Sequence, residues 1–362
     1  MAGLVGGVFK EKVSSYLMDL MEDVKSQYGE SSKEYLALYN QYVYSPKEEE
    51  VQEETNLKHY EAVVIEGEGL PKGIERLYKR QLVVDITMVC AAHCRYCLRA
   101  NYETNQLTES DVDKVVTYCA NDENLKEILV TGGDPLVVPK ILKYLISEIA
   151  SRAENIRIIR IGTRLPVQNP FGMGKDIYSF FDAYKDRLTI EVAVQINHTI
   201  ELQPETLNVL RKLHLSGVKL YSQNVLLKGV NDDIDSLVDL YDSLRYLNIE
   251  AHYLFHSIPM KGTNHLRTSV HKGLKLIKEL TSSGKISGRC KPMYALMTYV
   301  GKVVLYDGAI IKKDEKDFFH IQTNYKVEER QQWNSTYTLP TDQAYIDENG
   351  YIVAKYLDGK DD

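Results

Sequence analysis

Three of the chain's five cysteines fall within VCAAHCRYCLRANY, residues 89–102. Cys90, Cys94 and Cys97 have the spacing CxxxCxxC and follow directly on a β-branched run. Five cysteines in 362 residues are too few, and odd in number, for a disulfide framework. Two metal chemistries suit the triplet. Three thiolates on one loop can hold three irons of a cubane cluster, which leaves the fourth iron open as a catalytic centre requires. A zinc site would need a fourth ligand, and His93 inside the loop is the candidate.

Elements that could position such a loop follow from periodicity. From Tyr78 onward, short β-branched runs alternate with helical patterns: LVVDITM (82–88), EILVTG (127–132), IRIIRIG (156–162), LTIEVAVQI (188–196), KLYSQNVLL (219–227) and EAHYLFH (250–256). Six strands alternating with helices predict a parallel sheet, and six units are fewer than a closed barrel's eight. The fold class expected is α/β, an open (βα)6 partial TIM barrel over 76–292. A helical N-terminal segment (1–75) precedes it and a β-rich extension (293–362) follows, with a tight turn at Asp307-Gly308. KVSSYLMDLMEDVKSQYG and SKEYLALYNQYVY carry the helical spacing of the first segment. The acidic run from Glu48 to Glu54 reads as a solvated face.

Bulk properties narrow the function classes. Hydrophobic residues make up 44% and charged residues 26%, with a net charge of −7. This is the mix of a globular protein, without the positive surplus of a nucleic-acid or anionic-membrane binder. No apolar run is long enough to span a bilayer. The start, MAGLVGGVFKEK, lacks a secretory core, and Ala2 stands where myristoylation needs glycine. A cytosolic protein with reduced thiols is expected.

The triplet, with aromatic Tyr96 before its last cysteine, resembles the signature of radical S-adenosylmethionine (SAM) enzymes. TGGDPL after the second strand resembles their glycine motif. Arg164 after the third strand, Asn197-His198 after the fourth and Gln223 near the end of the fifth all sit at C-terminal strand ends, where such barrels build sites. The resemblance implies a [4Fe-4S] cluster on Cys90, Cys94 and Cys97. It further implies SAM among Tyr96, Gly132, Gly133, Asp134, Arg164, His198 and Gln223, and an electron donor such as flavodoxin or ferredoxin. A homo-oligomer is compatible with it, and no nucleic acid or membrane partner is expected.

CRYCLR, TGGDPL, RIGTRLPV, INH, SQNVLLKGVND and NHLRTSVHKG together resemble the lysine 2,3-aminomutase family. That resemblance implies that Arg99 grips a substrate α-carboxylate, for which a planar permanent cation is suited. The bland alternative is a local ion pair. Family members move an amino group on pyridoxal phosphate (PLP), held by a lysine in a PGGGGK-type loop. This chain has no such loop, so PLP is not expected and Lys302 in YVGKVVLYDG reads as an ordinary strand lysine. Leu77 and Gln81 stand where arginines would bind the PLP phosphate, although Arg80 could slide into register. Ile258 and Met297 stand near the positions of the acids that read the lysine ε-ammonium.

The sequence therefore points to a PLP-independent isomerisation of an amino acid, with epimerisation favoured and PLP-dependent aminomutation as the alternative. A non-catalytic iron–sulfur or zinc protein is the remaining reading. Epimerisation needs a hydrogen donor, for which Cys290 in SGRCKP is the candidate; Cys119 reads as helix packing. His252 and His256 share one face of a strand, and His265 and Arg267 resemble residues that close the site.

Overall fold

A computed structural model describes residues 10–50, 70–99, 106–282, 284–305, 309–323 and 325–361. The Asp307-Gly308 turn and residues 51–54 of the acidic run lie outside them. Nine strands form one open sheet in chain order: β1 (Ile74–Glu75), β2 (Gln81–Thr87), β3 (Glu127–Gly132), β4 (Ile158–Thr163), β5 (Thr189–Val194), β6 (Lys219–Leu226), β7 (Glu250–His256), β8 (Met293–Thr298) and β9 (Gly301–Val304). All six strands read from the sequence are present, and each pair from β2 to β7 is parallel. The strand-rich run from Met293 adds a seventh parallel strand, because β8 pairs with β7 in the same sense. β9 then folds back antiparallel on β8. The separate β-rich unit is a four-stranded sheet of order β10 (Ile310–Lys313), β11 (Phe318–Gln322), β13 (Ile352–Leu357) and β12 (Ala344–Ile346).

The period of two along each strand explains how one sheet serves both core and site. On β3 and β4, Ile128, Val130, Ile159 and Ile161 are fully buried and share a core with Val112 and Val115 of helix Glu109–Asn121 and Leu142 and Leu145 of helix Pro139–Arg152. The alternate residues face the concave side. There Leu129, Thr131, Gly162, Ala193 and Gln223 line a pocket. Arg160 lies between Glu127 (3.1 Å) and Glu191 (2.9 Å), tying β3, β4 and β5 together.

Two N-terminal helices, α1 (Ser15–Tyr28) and α2 (Lys33–Tyr42), stand where the helical spacing put them. Each starts on a serine, Ser14 or Ser32, whose hydroxyl accepts an orphan backbone N–H. Their apolar faces, Leu17, Leu20, Val24, Leu38 and Tyr42, pack in one cluster with Ala92 of the cysteine loop. These helices thus form part of the wall behind the cysteines.

Glu48 departs from the solvated face expected of it. It is fully buried and paired with Arg95 of the cysteine loop, which donates from Nε at 2.7 Å and from Nη2. The local signal was the Ser45-Pro46-Lys47-Glu48 spacing, which forms a capping box. Breaking one partner of a buried pair typically costs about 3–5 kcal/mol. Glu48→Ala is therefore expected to lower stability by about that amount, measured by denaturant unfolding, and to loosen iron binding with it.

Candidate active site

The cysteine loop, residues 88–99, has no regular structure, so its backbone must find hydrogen bonds elsewhere. They come from three directions. The N-terminal segment supplies Lys12 O to His93 N (2.8 Å) and Gln41 O to Arg95 N (2.9 Å), while Lys12 Nζ donates to Cys90 O (2.5 Å). Gln168 accepts from Ala92 N at 3.3 Å. The glycine motif supplies the third set: Gly133 N donates to Thr87 O (2.5 Å) and Asp134 N to Val89 O (2.8 Å). Gly132 holds φ at +108°, and a Cβ on it would lie 2.2 Å from Thr87 O. A Cβ on Gly133 would lie 2.4 Å from Val89 O. Only glycines allow this backbone-to-backbone seat.

Cys90, Cys94 and Cys97 line one pocket with Tyr96, Arg99, Gly132, Gly133, Asp134, Arg164 and Gln223. Among the described residues no three His, Cys, Asp or Glu side chains converge as ligands of a single metal ion. In a cubane cluster each thiolate binds a different iron, so three cysteines spread along one loop can serve it. Burial pushes the Cys97 thiol up to about 11 and raises Cys90 too, so binding iron there displaces protons. Cys94 is distinguished by two N–H donors on its sulfur, Arg164 Nη1 at 3.0 Å and Gln168 Nε2 at 3.4 Å.

Arg164 is buried in a network that sequence reasoning did not anticipate. It donates to Glu201, to the Tyr96 hydroxyl and, at 3.0 Å, to Gln41 Oε1. Asn197 Nδ2 reaches the same Tyr96 hydroxyl (2.7 Å) and the same Gln41 oxygen (3.0 Å). Gln41 comes from α2 and Glu201 from the turn after β5. Nothing in their local spacing marked them. Asp134 is fully engaged: its carboxylate accepts from the Thr163 hydroxyl and the backbone N–H groups of Leu136, Arg164 and Leu165. That makes it a clamp between β3 and β4.

Two expected residues stand elsewhere. His198 caps the short helix Thr199–Glu201, its ring accepting from Ile200 N, and does not line the pocket. Cys290 is buried at the end of the turn Gly288–Cys290, near Arg245 and Asp242 of the helix Ile234–Tyr246, outside the pocket. Cys290 thus lies in the core beneath an outer helix and not among the pocket's lining residues, where the hydrogen-donor role expected of it would place it. Cys119 is buried in the helix core, as expected. His256 does reach the pocket wall, with Nδ1 2.6 Å from the Tyr294 hydroxyl. Arg267 ties the loop after β7 to β13 through the carbonyls of Ser257 and Leu357.

Arg99 and Lys302 supply the pocket's remaining cations. Arg99 faces two carboxylates, Glu75 at 3.2 Å and Asp85 at 3.4 Å. Burial pushes Glu75 up to about 8, Arg99 opposing the rise and the Asp85 charge adding to it, so one of the two acids carries a proton at neutral pH. Lys302, read from sequence as an ordinary strand lysine, is the second residue of β9 and lines the same pocket as the cysteines. Burial, with Arg160 and Arg99 nearby, brings its ammonium down to about 8.

Residues 84–241 match the model of the Radical SAM superfamily. An Aquifex aeolicus protein named "Putative L-lysine 2,3-aminomutase" is 32% identical over 268 residues, 72% of this chain and 71% of that one. The chain belongs to the lysine 2,3-aminomutase family. Within that family, an L-lysine 2,3-aminomutase of Methanococcus maripaludis is 32% identical over 62% of this chain and 51% of its own length. A glutamate 2,3-aminomutase of Clostridioides difficile is 29% identical over 61% and 52%. The chain thus spans about half the length of these two relatives. Membership brings a [4Fe-4S] cluster and SAM as cofactors, and the pocket's three thiols beside a glycine-lined backbone fit both. No helix among the described residues is long and apolar enough to cross a membrane.

Proposed function

We propose that the chain is a radical SAM isomerase acting on an amino acid, in which a group shifts between neighbouring carbons. Cys90, Cys94 and Cys97 hold the cluster, Tyr96, Gly132, Gly133 and Gln223 border SAM, and Arg99 receives the substrate carboxylate. When bound, the cluster and SAM would supply reversible hydrogen-atom abstraction from the substrate.

The location of the thiols carries this reading. Inversion of a carbon centre requires a hydrogen donor on the opposite face, usually a thiol. All five cysteines are among the described residues; Cys119 and Cys290 are buried outside the pocket. Beyond the three cluster cysteines, epimerisation would find no cysteine among the pocket's lining residues, whereas a group shift needs no donor. Arg99 fixes the carboxylate end, and Leu98, Val225, Phe255, Ile258 and Met297 give the pocket apolar walls that exclude water from a radical.

PLP can be judged against the side chains present. Lys302 offers an amine in the pocket, but Leu77 and Gln81 line it where phosphate-binding arginines are implied. Arg160 is already shared by Glu127 and Glu191. Among the described lining residues an amine is present and no arginine stands at Leu77 or Gln81 to bind a phosphate, so the shift is proposed without PLP.

Turnover with SAM deuterated at the 5′ carbon tests the proposal. Deuterium is expected in the product, with none entering from D2O and SAM used catalytically. One solvent deuteron at an inverted centre, with SAM consumed in step, would overturn it.

The pocket's charge also sets a pH dependence. Below about pH 8 Lys302 is charged and Glu75 neutral; above it Lys302 is neutral and Glu75 anionic. Both changes make the pocket more negative. Affinity for an anionic substrate is therefore expected to fall as pH rises from about 7 to 9, measured by calorimetric titration without reductant.

A further inference from the structure

Among the described residues, every charge lining the pocket but one is held by an ion pair or by a full set of hydrogen bonds. Arg99 faces Glu75 and Asp85, Arg164 faces Glu201, and Asp134 is saturated by its own chain. Lys302 differs. Among the described residues its ammonium forms no ion pair, and it lies over the rings of Tyr253 (5.8 Å) and Phe255 (5.9 Å). Aromatic faces stabilise a cation only modestly compared with a carboxylate, so a buried ammonium held this way still gains from an incoming anion.

The rest of the wall has a bearing on what that anion is attached to. Ile258 and Met297 are apolar, and the acids that line the pocket are engaged, Glu75 with Arg99 and Asp134 with its own chain, so among the described residues a substrate ammonium extending past Arg99 would find no uncommitted acid and would face the Lys302 charge. Burying a cation without a partner, or against a like charge, is costly. A second carboxylate would instead pair with Lys302, and the amides of Gln195 and Gln223 in the same wall can donate to it.

We propose that the substrate is an α-amino acid bearing a second carboxylate, its α-carboxylate at Arg99 and its side-chain carboxylate at Lys302. This rests on the reading that an amino acid occupies the pocket. It assigns Lys302 a specificity role that its position in a strand hairpin did not suggest.

Calorimetric titration of the cluster- and SAM-loaded protein, without reductant so that nothing turns over, tests it. L-Glutamate or L-aspartate is expected to bind about 30-fold or more tighter than L-alanine, with L-lysine weakest. In Lys302→Met the acidic preference is expected to collapse, and Lys302→Arg, which keeps the charge, to retain most of it; cluster absorbance confirms that each variant loads. L-Alanine or L-lysine binding as tightly as both acids, or an acidic preference surviving Lys302→Met, overturns the inference and leaves the amino-acid reading standing. If none of the four binds, both fall together.

Discussion

Gly133→Ala is expected to strip the protein of its cluster while leaving the barrel folded. The new methyl group would stand 2.4 Å from Val89 O and 2.6 Å from the carbonyl carbon of Met88. Those are backbone atoms at the point where β2 gives way to the cysteine loop, so no side chain can swing aside. Overpacking typically costs about 1–3 kcal/mol, less than the roughly 5–15 kcal/mol that holds a domain together. The sheet therefore survives and the loop moves. Moving it breaks the hydrogen bonds from Gly133 N and Asp134 N and displaces three sulfurs that must each meet a separate iron. Iron and sulfide analysis after anaerobic reconstitution should give well under half the wild-type content, with far-ultraviolet circular dichroism unchanged. Full cluster content would show that the glycine seat does not position the loop.

Arg99→Met is expected to lower kcat/KM for the amino-acid substrate by about 10²–10³-fold, the scale of losing one buried charged partner. Most of the loss should fall on substrate binding, because in the proposed site Arg99 holds the carboxylate end and takes no part in making the radical. Cluster content and SAM binding should stay near wild type. Arg99→Lys should recover part of the loss, since it keeps the charge but not the fork. The competing account is that Arg99 only neutralises Glu75 and Asp85. It makes a different forecast: Arg99→Met would lower thermal stability and leave kcat/KM of the remaining folded protein close to wild type.

The barrel was legible because its strands obey simple periods. Six β-branched runs separated by amphipathic helices allow few arrangements, and the cluster loop, glycine motif and strand-end polar residues followed from their positions on it. What escaped depended on long-range packing. Gln41 lies on a short amphipathic helix whose spacing says only that one face is buried; that the face meets Tyr96, Arg164 and Asn197 is a tertiary fact. Glu48 sat in a run of acids that looked solvated, and only Arg95, 47 residues away, explains its burial. β8 was recognisable as a strand, but alternation does not reveal whether a strand pairs parallel or antiparallel. Cys290 and Lys302 illustrate one difficulty from two sides. Each follows the last barrel helix, and the direction of its side chain depends on a turn: a 3-10 turn that buries the thiol, and a hairpin that brings the ammonium to the pocket.

The central claim is that three cysteines on this loop leave one iron open for SAM. Electron–nuclear double resonance on the reduced, reconstituted protein with SAM labelled at its amino nitrogen and carboxylate oxygen measures that directly. The account expects hyperfine coupling to both labels, lost in Cys94→Ala. A fully assembled four-iron cluster that shows coupling to neither label would mean the fourth iron is closed, and would contradict it.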